Sequence, residues 1–261
     1  MTATVECLTD GSVLSVYLNR PDKLNAISSG MLDALEDAVD EARAEKYRVV
    51  VIRGRGRAFC AGGDLGSNGN GNGDASAGPP ASTLERSNEV FAALEALPKP
   101  VIAAVHGTAC AGGLELALSC DLIVAANSAR LGDMHANFGL LPGAGGTYRL
   151  SRRIGPAKAK YLMFTGELFG AAEMAHAGLV DQVYPDADFD ASVDALASRI
   201  AGKSPLGLAQ MKHLALEAST LSREDGLASA LSAALRYRHS ADYAEGLRSF
   251  AEKRAPRFEG R

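Results

Sequence analysis

The 261-residue chain has no tryptophan, an aromatic content of only 6%, and no long apolar run, and each shortage removes a class of function. Its longest apolar runs, residues 101–105 and 122–126, fall far short of the roughly 18 residues a membrane span needs. The first residues carry Glu6 and Asp10 and lack a basic start followed by an apolar block, so no secretory signal is read. No excess of charge is present either. Lys and Arg number 27 against 31 Asp and Glu, a formal charge of -4, which offers no electrostatic case for a nucleic-acid partner or a membrane surface. The four cysteines, Cys7, Cys60, Cys110 and Cys120, show neither C-x-x-C nor zinc-like spacing. Reduced structural thiols in a cytoplasmic protein without a metal site are the expectation.

Three catalytic or cofactor motifs are missing as well. The phosphate-cradling P-loop pattern and the G-x-S-x-G elbow of serine hydrolases are absent. The nearest approach to a dinucleotide fingerprint, Gly143-Ala144-Gly145-Gly146-Thr147-Tyr148, puts tyrosine where the last glycine belongs.

What the chain has is a hydrophobic content of 47%, enough for a sizeable core, and two glycine turns that each follow an apolar run. Phe59-Cys60-Ala61-Gly62-Gly63-Asp64-Leu65 follows the run at 49–52, and His106-Gly107-Thr108-Ala109-Cys110-Ala111-Gly112-Gly113-Leu114-Glu115 follows the run at 101–105. A run ended by glycines and then by an amphipathic stretch is how a strand hands over to a helix. Unpaired backbone N–H groups project there and bind negative charge. Two such sites converging from different strands make a hole for a developing oxyanion, which suits an enzyme with an enolate-like intermediate.

Residues 4–8 and 13–18 read as a hairpin around Asp10-Gly11. Ser28 or Ser29 is placed to cap a helix whose apolar face is Met31, Leu35, Ala38, Val39 and Ala42. Strands are predicted at 49–52, 101–105, 122–126 and 179–183. Helices are predicted at 83–97, closed by Pro98 and Pro100, and at 111–118, 145–154 and 157–163. The biased insert at 66–81 reads as a mobile loop, either a lid or a plain surface insertion. From 189 onward the pattern is almost entirely helical, over 189–201, 205–218, 224–237 and 242–252. The fold class is therefore α/β, with parallel strands, crossover helices and a helical C-terminal third.

Six motifs occur in one order: Asn19-Arg20-Pro21-Asp22-Lys23-Leu24-Asn25-Ala26, Cys60-Ala61-Gly62-Gly63-Asp64-Leu65, Gly112-Gly113-Leu114-Glu115-Leu116-Ala117, Cys120-Asp121, Pro142-Gly143-Ala144-Gly145-Gly146-Thr147 and Glu252-Lys253-Arg254-Ala255-Pro256-Arg257-Phe258. Together, over essentially the whole chain, they resemble the crotonase, or enoyl-CoA hydratase/isomerase, family. The resemblance implies a crotonase-like spiral of ββα units over 1–200 and a helical trimerisation region over 201–261. It also implies an acyl-CoA thioester substrate, a homotrimer or a dimer of trimers, and no cofactor beyond the coenzyme A that is part of the substrate.

Matching the motifs places the oxyanion donors on the backbone N–H groups of Gly63 and Gly112 and the first catalytic carboxylate on Glu115. The residues agree. Gly112 falls in the first helical turn, where N–H groups lack intrahelical partners, and Glu115, three residues on, shares its face. A helix-start carboxylate also serves as a simple dipole partner. The family's second glutamate aligns with His135, which is where this sequence departs; imidazole still carries protons near neutral pH. Asp133, two residues away, is a further carboxylate. Ala61, Gly62, Asp64 and Leu65 fall within the motif that supplies Gly63 and belong to the implied substrate-binding set. Lys23 and Ala26 match the coenzyme-A entrance, and Phe250 and Lys253 a C-terminal helix near the adenine end. His106 reads as structural, Asp121 as a capping or hydrogen-bonding residue, and Arg149, Arg152 and Arg153 as an exposed helix face.

The activity this implies is hydration of a 2-enoyl-CoA. The alternatives are a Δ3,Δ2-enoyl-CoA isomerase, which needs one base, and a non-catalytic acyl-CoA binder. The acyl chain depends on pocket walls expected at 66–85, 138–141 and in the C-terminal helices.

Overall fold

Local signals at the N-terminus are strong enough to set its geometry. In the structure, a computed structural model describing residues 3–65 and 81–261, β1 (Val5–Asp10) and β2 (Val13–Leu18) pair antiparallel, with Val5 opposite Leu18 and Asp10 opposite Val13. Gly11 turns the chain at a φ of 55°, a left-handed value that glycine takes without strain. Ser28, rather than Ser29, caps α1 (Ser29–Ala42), its side chain accepting the Met31 N–H at 3.3 Å. The predicted apolar face of α1 is buried, with Leu32 added to it.

The next elements are β3 (Val49–Gly54), α2 (Ala81–Glu95), β4 (Val101–Val105), β5 (Thr108–Cys110), α3 (Gly112–Leu118), β6 (Leu122–Ala126) and β7 (Arg130–Gly132). After a 3-10 turn at His135–Phe138 come α4 (Gly146–Ile154), α5 (Pro156–Thr165), β8 (Phe169–Gly170), α6 (Ala171–His176), β9 (Gln182–Tyr184) and α7 (Phe189–Ala201). Three more helices follow, α8 (Pro205–Glu217), α9 (Arg223–Tyr237) and α10 (Ala241–Ala251). The insert read at 66–81 lies outside the described residues except for Ala81, which opens α2.

A six-stranded sheet runs in the order β1-β2-β3-β4-β6-β9, and every pair after the first is parallel. Every residue of β4 is buried, as expected of a parallel strand covered on both faces. A second sheet, β5-β7-β8, stacks the short strands. Isolated parallel bridges carry its line onward, Cys60 to Ala109 and Ile27 to Gly63. Successive turns of chain thus place one strand in each sheet before a helix, as in β4–β5–α3. This is the ββα spiral that the resemblance implies.

The stacking has a consequence for function. It brings the two glycine turns, about fifty residues apart in sequence, to the same edge of the second sheet. Strands β5, β7 and β8 escape sequence reading because two or three residues are too few to show a period of two. The apolar run at 179–183 forms a strand only at its end. Leu179 and Val180 are buried in the turn after α6, with both N–H groups bonded to the Met174 carbonyl.

The C-terminal helices are tied to the spiral by long polar side chains. Arg48 donates to the carbonyls of Ala201 and Phe258, and Lys212 to Asp121 and the carbonyl of Lys99. The last residues fold back onto the buried Asp242, which accepts from the Ser204 hydroxyl and from the N–H groups of Glu259 and Gly260.

Candidate active site

The second glycine turn is built for close approach. A Cβ on Gly113 would lie 2.1 Å from the Cys60 carbonyl oxygen, so only glycine lets α3 begin against the first turn. Ala111, just before the helix, is held at φ 48° and ψ −124°, a conformation costly for a residue with a Cβ.

The first turn meets this helix start directly. A Cβ on Gly112 would sit 3.3 Å from the Gly63 nitrogen. Around Gly63, the Ile27 N–H donates to the Gly62 carbonyl and the Asp64 N–H to the Ile27 carbonyl, both at 2.8 Å. Alternation along an extended strand therefore points the Gly63 N–H to the opposite side. Neither the Gly63 nor the Gly112 nitrogen has a hydrogen-bond partner among the described residues. Two neighbouring unsatisfied donors thus border one cavity of about 580 Å³, which Ala61, Gly63, Leu65, Gly112, Glu115 and His135 also line.

Glu115 is 3% exposed. Its Oε1 accepts the N–H groups of Ala144 at 2.9 Å and Gly146 at 2.8 Å, the glycine turn that opens α4. A helix N-terminus is where a carboxylate is well placed. Burial raises the proton affinity of Glu115 above the usual carboxylate range. The two backbone donors and the His135 ring oppose that rise, and the charge of Asp133 adds to it. One oxygen is therefore fixed by the backbone and the other, Oε2, is left toward the cavity, 3.7 Å from His135 Nε2.

His135 opens the 3-10 turn after β7. Its Nδ1 lies 2.9 Å from Asp133 Oδ1, and Asp133 is buried. Burial alone would lower the affinity of the ring for a proton. The Asp133 hydrogen bond and charge, joined by the charge of Glu115, outweigh it and raise it.

The remaining substrate-binding candidates divide into three groups. Ala61 and Leu65 line the cavity, and Gly62 is buried behind them with its carbonyl on Ile27. Asp64 forms a 2.8 Å ion pair with Arg20, which also holds the Ala26 carbonyl, so this carboxylate braces the loop that carries Ala26. Lys23 is exposed at the end of a 3-10 turn in that loop. Phe250, 84% exposed, and Lys253, just past α10, lie outside the cavity lining.

One expectation is overturned. Arg149 is buried rather than on an exposed face. It bridges Glu95 and the Ala144 carbonyl, and so steadies the very peptide that holds Glu115. Arg153 likewise bonds Asp181 and the Leu179 carbonyl. His106 and Asp121 are structural as read, the first on the Gly56 carbonyl and the second on the Val101 N–H and Lys212.

The apolar lining includes Phe138, Leu140 and Leu141 and, from α2, Leu84 and Phe91. Sequence reading missed the α2 residues Ser87 and Phe91 and the part played by the Ala144 and Gly146 N–H groups. The glycines before α4 were themselves a usable signal for the latter. Among the described residues no cluster of three or more His, Cys, Asp or Glu could hold a metal ion, and no helix is long and apolar enough to cross a membrane.

The family model for enoyl-CoA hydratase/isomerase matches residues 9–261. The chain belongs to that family. Its similarity to a probable enoyl-CoA hydratase of Bacillus subtilis is 38% identity, covering 95% of each chain. Its similarity to the 2,3-dehydroadipyl-CoA hydratase of Escherichia coli is 37%, covering 95% of this chain and 96% of that one. The crystal structure of an enoyl-CoA hydratase from Bacillus anthracis superposes with a TM-score of 0.92 at 32% identity, over 99% of this chain and all of that one. The crotonase fold and an enzyme of the enoyl-CoA hydratase/isomerase family follow from these matches, and an acyl-CoA substrate fits that family.

Proposed function

We propose that the protein hydrates a 2-enoyl-CoA thioester, with the Gly63 and Gly112 N–H groups holding the thioester oxygen and Glu115 and His135 moving protons. The observation that carries this reading is the pair of unpartnered backbone donors beside a carboxylate with one oxygen tied and one turned to the cavity. Donors aimed at a developing enolate oxygen stabilise it more than the ground-state carbonyl, each worth about 3–4 kcal/mol in comparable acyl-transfer sites. Glu115 Oε2 takes a proton from water as the water oxygen bonds to Cβ. The double-bond electrons move onto the thioester oxygen, and as they return, the His135 imidazolium delivers a proton to Cα. Product release then leaves one proton to pass from Oε2 back to Nε2, which restores the pair.

The cavity walls favour an apolar acyl chain. Coenzyme A is substrate here, and no further cofactor takes part. The exposed leucines of α9 and α10, with Phe250, are the surface by which copies of this chain assemble, as a trimer or a dimer of trimers. That assembly is also how Lys253 and Phe250 would reach a neighbouring coenzyme-A site. A cytoplasmic location fits these assignments.

Loss of enone absorbance from crotonyl-CoA with purified protein tests the reading. Conversion of a 3-enoyl-CoA without hydration would move the reaction to isomerisation. Thioester binding without any turnover would make the protein an acyl-CoA binder.

A further inference from the structure

We infer that Asp133 is a positioning residue that locks the His135 ring and its tautomer so that Nε2 always faces Glu115. The inference rests on the proposed role of His135 as a proton carrier. Asp133 is buried at the end of β7, and a single oxygen, Oδ1, serves His135 twice. It accepts the His135 backbone N–H at 3.1 Å and meets ring Nδ1 at 2.9 Å. An oxygen already accepting a backbone N–H in this way is an acceptor toward the ring as well, so Nδ1 carries a proton.

The consequence falls on the other nitrogen. With Nδ1–H fixed, Nε2 alone gains and loses a proton, and it stands 3.7 Å from Glu115 Oε2. A ring flip would break the Nδ1 contact and turn a carbon toward the carboxylate. The charged groups facing the ring are Asp133 and Glu115. The Cys110 thiol nearby is pushed up to about 11 by burial and by Asp133, so it stays neutral across the working range. A position that ordinarily needs a second carboxylate is thereby filled by an imidazole whose orientation is set by a carboxylate two residues earlier.

Nitrogen-15 NMR of the histidine rings in the full chain tests this without substrate, the His135 signals being assigned by their loss in His135→Gln. In Asp133→Asn, which keeps the shape and removes the charge, the His135 titration midpoint is expected to fall by about one pH unit. In Asp133→Ala the neutral ring is expected also to lose its fixed Nδ1–H pattern and show both tautomers. Unchanged midpoint and tautomer in a folded Asp133→Asn protein would overturn the inference, and that variant suffices if Asp133→Ala does not fold. Because the ring signals need no turnover, they separate this inference from the proposed activity. Shifted signals with no hydration of crotonyl-CoA would leave Asp133 in place and remove the hydratase reading.

Discussion

Helices α3 and α9 make opposite use of leucine. In α3, Leu114, Leu116 and Leu118 are all buried, and six of its seven residues, all but Gly112, are core with a carboxylate set among them. In α9, Leu227, Leu231 and Leu235 recur every four residues, the spacing of a helix face meant for burial, yet Leu231 is 61% exposed and Ala233 is the helix's buried residue. A stripe of that period is left bare on one chain, where the proposed assembly of copies would cover it, whereas α3 uses its apolar residues to place Glu115. On one chain, then, the proposed reaction centre sits inside packed core, while the leucines of α9 lie on the surface.

The largest effect that would break this comparison concerns Glu115. Glu115→Gln, which can still accept from Ala144 and Gly146, is expected to lower kcat by about 10²-fold or more with thioester binding kept. Steady-state kinetics with crotonyl-CoA check it, and a near-unchanged rate would move the chemistry off α3.

One substitution made in both helices comes next. Leu116→Ala is expected to cost about 2–5 kcal/mol in denaturant unfolding. Leu231→Ala is expected to change the unfolding of a separated chain by less than about 0.5 kcal/mol. Leu231→Asp is expected to lower the mass measured by light scattering from that of an oligomer toward that of one chain. An unchanged mass would assign the stripe to something other than a second copy.

The pH dependence of stability sharpens the comparison at the site itself. His135 and Glu115 both have folded-state affinities for protons raised above their usual values of 6.5 and 4.5. A raised value means that the folded state holds more protons than the unfolded one, so stability falls as pH rises through the window. For Glu115 the loss begins near 4.5 and for His135 near 6.5, each ending at its raised folded value. Thermal stability should therefore fall as pH rises from 4 to 9, and His135→Gln should remove the His135 part of that fall while raising the proton affinity of Glu115 further.

The remaining effects concern helix caps. Ser28→Ala in α1 and Ser222→Ala in α9 each delete a side-chain acceptor for a helix-start N–H, an expected loss of about 1 kcal/mol apiece. Unfolding should report the first in full. The second should appear in full only if α9 melts together with the spiral, and local hydrogen exchange would distinguish the two cases.

Much of the fold was legible in particular residues. The Asp10-Gly11 turn and the bounds of α7 stand as read, and of the two caps open to α1, Ser28 and Ser29, the first is used, because turn chemistry and a period of 3.6 are local properties. Arg149 was misread because periodicity says which residues share a face but not which face is packed. Its burial depends on Glu95, fifty-four residues earlier, and on the Ala144 carbonyl. The α2 wall at Ser87 and Phe91 was invisible for the same reason: nothing local in that helix says that it leans over the glycine turns of other strands.

By itself the order of residues determined the α/β class, the glycines at the two turns and the carboxylate three places after Gly112, since each is a matter of backbone freedom or helical spacing within a few residues. Only the tertiary structure decided that Gly63 and Gly112 share one edge, that Ala144 and Gly146 tie down one oxygen of Glu115, and that His135 faces the other. Those relations join segments from about twenty to fifty residues apart, and chain separation of that length is bridged by the stacking of one sheet on another rather than by any local preference.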